Sequence, residues 1–139
     1  MSSAKEIYKN IPTRISDSQV IDIIESKDLG SSQLRSLKSI AESNDKTLSE
    51  WFDVSEKTLQ NYRSAKVKFN TNFKEKLLLL LSLYKRGVSV FGSKEDFNDW
   101  LKKPNFQFDN KRPADYFKTI SGIRYIESRL IGMTYGDNV

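Results

Sequence analysis

Residues Thr47 to Ser64 read TLSEWFDVSEKTLQNYRS, two short amphipathic runs joined at Phe52-Asp53-Val54. Leu48, Ser49, Phe52, Val54, Leu59 and Tyr62 fall where two closely crossing helices would face each other, and Ser49 supplies the small side chain that the crossing needs. Ser55 is placed to cap the second helix. Asp53 stands at the turn, where glycine is usual because the backbone is left-handed; Asp takes that conformation at modest cost. The spacing predicts a helix-turn-helix, in which the first helix braces a second that enters the major groove of duplex DNA. The outward face of the second helix is Ser55, Glu56, Lys57, Gln60, Asn61 and Ser64. Gln and Asn pair bidentately with adenine, Lys reaches guanine or phosphate, and Glu accepts from the cytosine amino group. Arg63, Lys66 and Lys68 are candidate phosphate contacts, which set register and affinity rather than sequence preference. Two helices packed in any small bundle would show much of this pattern.

Charge sharpens the reading. Lys57 to Arg86 holds eight basic residues and a single acid, Glu75, whereas the first 56 residues are net acidic. Such a run is either a solvated helix surface or an electrostatic footprint for phosphates, and the motif inside it decides between them. The chain has no Cys and no His. That excludes disulfides, Cys-based zinc sites and a Ser-His-Asp triad. Glu127 and Arg129 could be imagined in a small enzyme, but nothing pairs with them at a recognisable spacing. No cofactor and no metal are expected. Met1 to Asn10 has no apolar run of the kind a signal peptide needs. The run Leu77–Tyr84 is far short of the roughly 20 residues of a spanning helix. A cytoplasmic protein without a membrane partner is expected.

Almost every other segment also reads as helix. Asp17 or Ser18 caps a helix carrying Val20, Ile23 and Ile24; Ser31-Ser32 opens another with Leu34, Leu37, Ile40 and Ala41 on one face. After a linker at residues 67–72, Phe73–Arg86 forms a strongly apolar helix that Gly87 ends. It is too apolar on all sides for a surface element, so it is core or a subunit interface. Val88-Ser89-Val90-Phe91 is the one strand-like piece. Ser93 caps a helix carrying Phe97, Trp100 and Leu101 up to Pro104; Pro113 fits a first turn, and Ile123, Ile126 and Leu130 stripe the last helix.

The segment from Arg86 to Gly136 contains Val90-Phe91-Gly92, Phe97, Trp100-Leu101, Pro104-Asn105, Pro113, Thr119, Gly122, Ile126-Glu127, Leu130 and Gly136. In order and spacing these anchors resemble the toxin-binding domain of the Xre/MbcA/ParS antitoxins. The motif at Thr47–Arg63 sits where that family places its Xre-type DNA-binding region, so the resemblance covers roughly residues 17 to 139. Asp109-Asn110-Lys111 departs from the Gly-rich turn of relatives, and Met133-Thr134-Tyr135 replaces a stretch that often carries charge.

The resemblance implies an all-α protein: residues 1–16 as an N-terminal segment, 17–70 as an Xre-like, phage-repressor-like helix-turn-helix region, and 71–139 as a helical toxin-binding domain. It implies a non-enzymatic antitoxin of a type II toxin–antitoxin system. Such a protein neutralises a cognate toxin, often an NAD-targeting one of the RES type, and represses its own operon as a homodimer on operator DNA. The alternative is a free-standing helix-turn-helix regulator without a toxin partner. The expected DNA contacts are Ser55, Lys57, Gln60, Asn61, Arg63, Ser64, Lys66 and Lys68. The expected toxin contacts are Arg124, Glu127 and Arg129 on the last helix, with Tyr135, Gly136, Asp137, Asn138 and Val139 in the tail. The expected dimer glue is apolar surface on the Phe73–Tyr84 helix and the C-terminal lobe.

Overall fold

The apolar run Leu77–Leu81 forms the middle of one long helix, and most other elements pack around it. The structure, a computed structural model, describes residues 11–26, 29–64 and 67–136. In chain order the helices are α1 (Asp17–Ser26), α2 (Ser31–Ala41), α3 (Asp45–Phe52), α4 (Glu56–Ser64), α5 (Thr71–Phe91), α6 (Lys94–Lys102) and α7 (Ile120–Thr134), with 3-10 turns at Phe106–Phe108 and Pro113–Tyr116. Among the described residues there is no strand, only an isolated antiparallel bridge between Asn105 and Lys111.

Helix α5 contacts α1, α2, α6 and α7. Leu77 to Leu81, Leu83 and Tyr84 are no more than 2% exposed. Burying each such leucine contributes about 1.5–3 kcal/mol, and the single chain already covers all of them. The expectation that this helix supplies dimer glue is therefore corrected: α5 is core, and it has no uncovered apolar face at these positions.

Two boundaries also differ from expectation. Gly87 does not end α5; the helix runs on through Val88–Phe91, the piece that reads as strand, to Gly92, whose φ of 90° is the left-handed cap. The reason is packing. Gly87 lies against the ring of Phe97 in α6, and a Cβ there would meet ring atoms at 2.2 Å. Glycine is needed for close approach of α6 rather than for a turn. Helix α1 is capped one residue earlier than expected: Ser16 Oγ accepts from Gln19 N–H (3.3 Å), while Gln19 Oε1 accepts from Ser16 N–H (2.9 Å).

The remaining starts follow local rules. Asn44 Oδ1 caps α3 through Thr47 N–H (2.9 Å), Asn70 Oδ1 caps α5 through Phe73 N–H (2.9 Å), and Ser93 Oγ caps α6 through Asp96 N–H (3.1 Å). Thr119 Oγ1 caps α7 through Gly122 N–H (2.9 Å). At Asp109 and Asn110, φ values of 55° and 60° make the turn that glycine makes elsewhere.

The N-terminal segment is strapped to the C-terminal half by its carbonyl oxygens. Lys85 Nζ donates to Ile11 O (2.8 Å), Ser82 Oγ to Pro12 O (2.6 Å), Arg86 Nε to Thr13 O (2.8 Å) and Arg124 Nη1 to Ile15 O (2.6 Å). Ile11 and Ile15 are buried beneath. One apolar core runs through both halves of the chain.

Candidate functional site

In the pair α3–α4 the positions expected to face each other are packed inward. Leu48 and Leu59 are fully buried, Phe52 and Ser49 nearly so, and Val54 and Tyr62 pack against the core at its edge. Ser49 Oγ turns back to Lys46 O (2.7 Å), so the small residue leaves the crossing clear and satisfies its own hydroxyl. Asp53 takes the turn at φ 53°, ψ 49°, left-handed as its position requires. Ser55 Oγ accepts from Thr58 N–H (3.0 Å) and opens α4. Stacking fixes the pair to the body: Phe52 lies on Phe73 (4.3 Å between centroids) and Tyr62 on Phe69 (4.9 Å). Trp51 meets Phe117 edge-on at 4.9 Å, joining α3 to the C-terminal half.

This packing turns Ser55, Glu56, Lys57, Gln60, Asn61 and Ser64 outward, all exposed, with Lys68 exposed beyond them. The face presents two amides, two hydroxyls, one lysine and the Glu56 carboxylate, donors and acceptors of the kinds that pair with base edges. Arg63 stands apart from that face. Its guanidinium is paired with Asp45, which also accepts from Lys38 Nζ (2.9 Å). Hydrogen bonds from Lys38, then Arg63, hold the Asp45 carboxyl below its ordinary pKa. Lys66 lies outside the described residues.

On α7 the expected contact residues divide. Arg124 Nη1 donates to Ile15 O and to Glu127 Oε1 (3.1 Å), and Nη2 to Asp17 Oδ1 (3.0 Å). Arg124 and Glu127 are thus engaged within the chain, with side chains 27% and 12% exposed. Arg129 Nη2 donates to Gln107 Oε1 (3.1 Å). Tyr135 is 82% exposed, and Gly136 has the left-handed φ of 93°. Asp137, Asn138 and Val139 lie outside the described residues.

Sequence reading does not single out Phe106, which is 79% exposed on the loop between α6 and α7. That loop is held firmly. Asn105 Oδ1 accepts from Gln107 N–H (3.0 Å), Asn110 N–H donates to Asn105 O (3.0 Å), and Asn105 N–H donates to Lys111 O (3.1 Å). Phe108, two residues on, is buried against Trp100, Tyr116 and Tyr125. Two phenylalanines this close in a single 3-10 turn cannot both enter the core, and that was the available signal.

Among the described residues, no cluster of acids, Cys or His could hold a metal ion, and no helix is long and apolar enough to cross a membrane. No curated protein matches the chain. A family model does: the antitoxin Xre/MbcA/ParS C-terminal toxin-binding domain, over residues 86–136. Those residues run from the last turn and a half of α5 through α7, and they include the fixed loop bearing Phe106. Over residues 86–136 the chain is thus similar to the Xre/MbcA/ParS antitoxin toxin-binding domain family.

Proposed function

We propose that the protein is the antitoxin of a type II toxin–antitoxin pair, which neutralises a cognate NAD-targeting toxin of the RES type and represses its own operon by binding DNA. The observation that carries this reading is the toxin-binding domain at residues 86–136. Direct contact with the toxin falls to Phe106, Arg129, Tyr135 and Gly136, together with the tail residues Asp137, Asn138 and Val139. Exposed, rigidly held aromatics are the side chains most often found at the energetic centres of protein interfaces. Arg124 and Glu127 act at the edge of that contact, since their first task is to hold residues 15–17. Neutralisation is steric, and the antitoxin performs no chemistry.

The exposed face of α4 supports duplex binding through Gln60 and Asn61, with Ser55, Lys57 and Ser64 beside them and Lys66 and Lys68 on phosphates. A homodimer matches a two-fold operator; with α5 buried, its interface must come from other surfaces. Co-expression with the toxin encoded in the same operon tests the central claim. The toxin should arrest growth alone, and the antitoxin should restore growth and co-purify with it. Growth arrest that persists beside well-expressed antitoxin refutes the reading. Changing Gln60 and Asn61 to Ala should reduce discrimination for the operator by about 1–3 kcal/mol per lost bidentate contact and leave toxin binding unchanged. Equal affinity of the unaltered protein for operator and scrambled duplex in a mobility-shift titration removes the DNA part.

A further inference from the structure

Beside the outward face of α4 runs an open groove of about 620 Å³, bordered by Arg35 and Lys38 of α2, Arg63 of α4, and Glu42 and Asn44 between α2 and α3. Three cations border it, and the Asp45 carboxylate beside it is paired with two of them, Lys38 and Arg63. Asp45 Oδ1 accepts from Lys38 Nζ (2.9 Å) and from the Arg63 guanidinium, and Asp45 Oδ2 accepts from Gln60 Nε2 (3.4 Å). Gln60 belongs to the exposed face, so the groove and that face share an edge. Arg35 is aimed by Arg63 O (2.7 Å) and Ser32 Oγ (3.2 Å). The acid on the groove's border, Glu42, is drawn toward α6, where its Oε1 accepts from Asn98 Nδ2 (3.3 Å).

A carboxylate and the free oxygens of a phosphodiester offer a guanidinium or ammonium the same kind of charged acceptor. A helix lying in the major groove is flanked by DNA backbone on either side. We propose that Arg35, Lys38 and Arg63 form a phosphodiester-binding site on the flank of the DNA-reading helix, and that Asp45 occupies it as an internal competitor which a DNA phosphate must displace. The inference rests on the DNA-binding reading of α4. It adds Arg35 and Lys38 to the contact surface and assigns Asp45 the role of a brake.

The brake has substance because the cluster is partly dry. The side chains of Asp45, Lys38 and Arg63 are 16%, 33% and 24% exposed, so their attraction is screened less than that of an open surface pair. Asp45 also stays ionised across neutral and mildly acid pH, since its two cationic partners hold its pKa down. Two cations that already carry a counter-charge release fewer salt ions when DNA binds. The salt dependence of binding should therefore be shallower than the basic content suggests.

The test uses the full chain and a random-sequence duplex of about two helical turns, followed by fluorescence anisotropy across a salt series. Asp45→Asn keeps the side-chain shape and removes the charge. It should bind roughly tenfold more tightly at low salt, about 1.4 kcal/mol. Its log–log salt slope should steepen by about 1–2 units, near 0.9 for each cation released to a phosphate. Adding Lys38→Gln to that variant should return affinity and slope toward the starting values, and Arg35→Gln should weaken binding in either background. Asp45→Ser serves as a second release variant, and thermal unfolding of each protein shows that the helices remain intact. If the unaltered protein binds and folded Asp45→Asn and Asp45→Ser bind no better, the brake is refuted and DNA binding stands. If no variant binds duplex at any salt concentration, both readings fall.

Discussion

Replacing Gly87 by alanine puts one methyl group into the seam between α5 and α6. The new Cβ would stand 2.2 to 2.4 Å from three ring atoms of Phe97, against about 3.5 Å for an ordinary carbon contact. Either the ring or the helix must retreat by more than about 1 Å. The ring has nowhere to go: it is fully buried, with Tyr84 at 5.1 Å, Phe91 at 5.7 Å and Trp100 at 6.2 Å between centroids. Alanine returns up to about 1 kcal/mol in helix propensity, and overpacking costs about 1–3 kcal/mol. The net loss should be about 1–2 kcal/mol, a Tm lower by about 3–10 °C for a chain of this size. Thermal and urea unfolding followed by circular dichroism give the number. Phe97→Leu supplies the discriminating partner, because a smaller side chain makes room for the methyl group. In a double-mutant cycle the two changes should couple by about 1 kcal/mol or more. Additivity within about 0.5 kcal/mol, or a Gly87→Ala protein as stable as the original, would refute the close approach of α6 as the reason for glycine.

Phe106→Asp should weaken toxin binding by about 2 kcal/mol or more in calorimetric titration while leaving Tm unchanged, because the side chain supports nothing in its own chain. Arg124→Ala leaves the Ile15 carbonyl and the Glu127 carboxylate without their partner. It should cost about 1–3 kcal/mol, and hydrogen exchange should show lost protection over residues 11–20; unchanged exchange there would mean that the strap is held by its apolar side chains alone. The carboxyls of Asp45 and Asp115 are both held below 3.8. Burial opposes the shift at Asp115 and the Arg112 guanidinium overrides it. A depressed folded-state pKa contributes stability above the unfolded value and loses it as pH falls through the folded one. Stability should therefore hold from neutral pH to just above 3.8 and decline below it, and Asp45→Asn should flatten that decline in an unfolding series.

The all-helical fold was legible wherever one residue decided one local question. Ser49 had to be small at a crossing, Asp53 had to take a left-handed turn, and Ser93 had to cap. The long-range reasons were not legible. Gly87 reads as a helix end because glycine usually marks one, and only the ring of Phe97 shows why this glycine lies inside a helix. Val88–Phe91 reads as strand because β-branched residues favour strands, a preference that tertiary packing overrides. The outward face of α4 followed directly from helical periodicity. The fate of Arg124, Glu127 and Arg63 did not, since their partners Ile15, Asp17 and Asp45 depend on how the chain folds back. Phe106 escaped notice because a composition rich in aromatics assigns them to the core by default.

The strap over residues 11–15 has a consequence for the order in which the protein can be made. Its clamps lie far downstream: Ser82 is 70 residues from Pro12, Lys85 is 74 from Ile11, and Arg124 is 109 from Ile15. A ribosome releases α1 to α4 well before α7 exists. Until Arg124 emerges, the start of the chain has an incomplete seat, and Ile11 and Ile15 have only part of the surface that will cover them. Residues 11–15 thus reach their final seat only after α7 has been synthesised. A nascent chain that stalls or is cut before α7 keeps the α5 clamps on residues 11–13 but leaves the Ile15 carbonyl without Arg124.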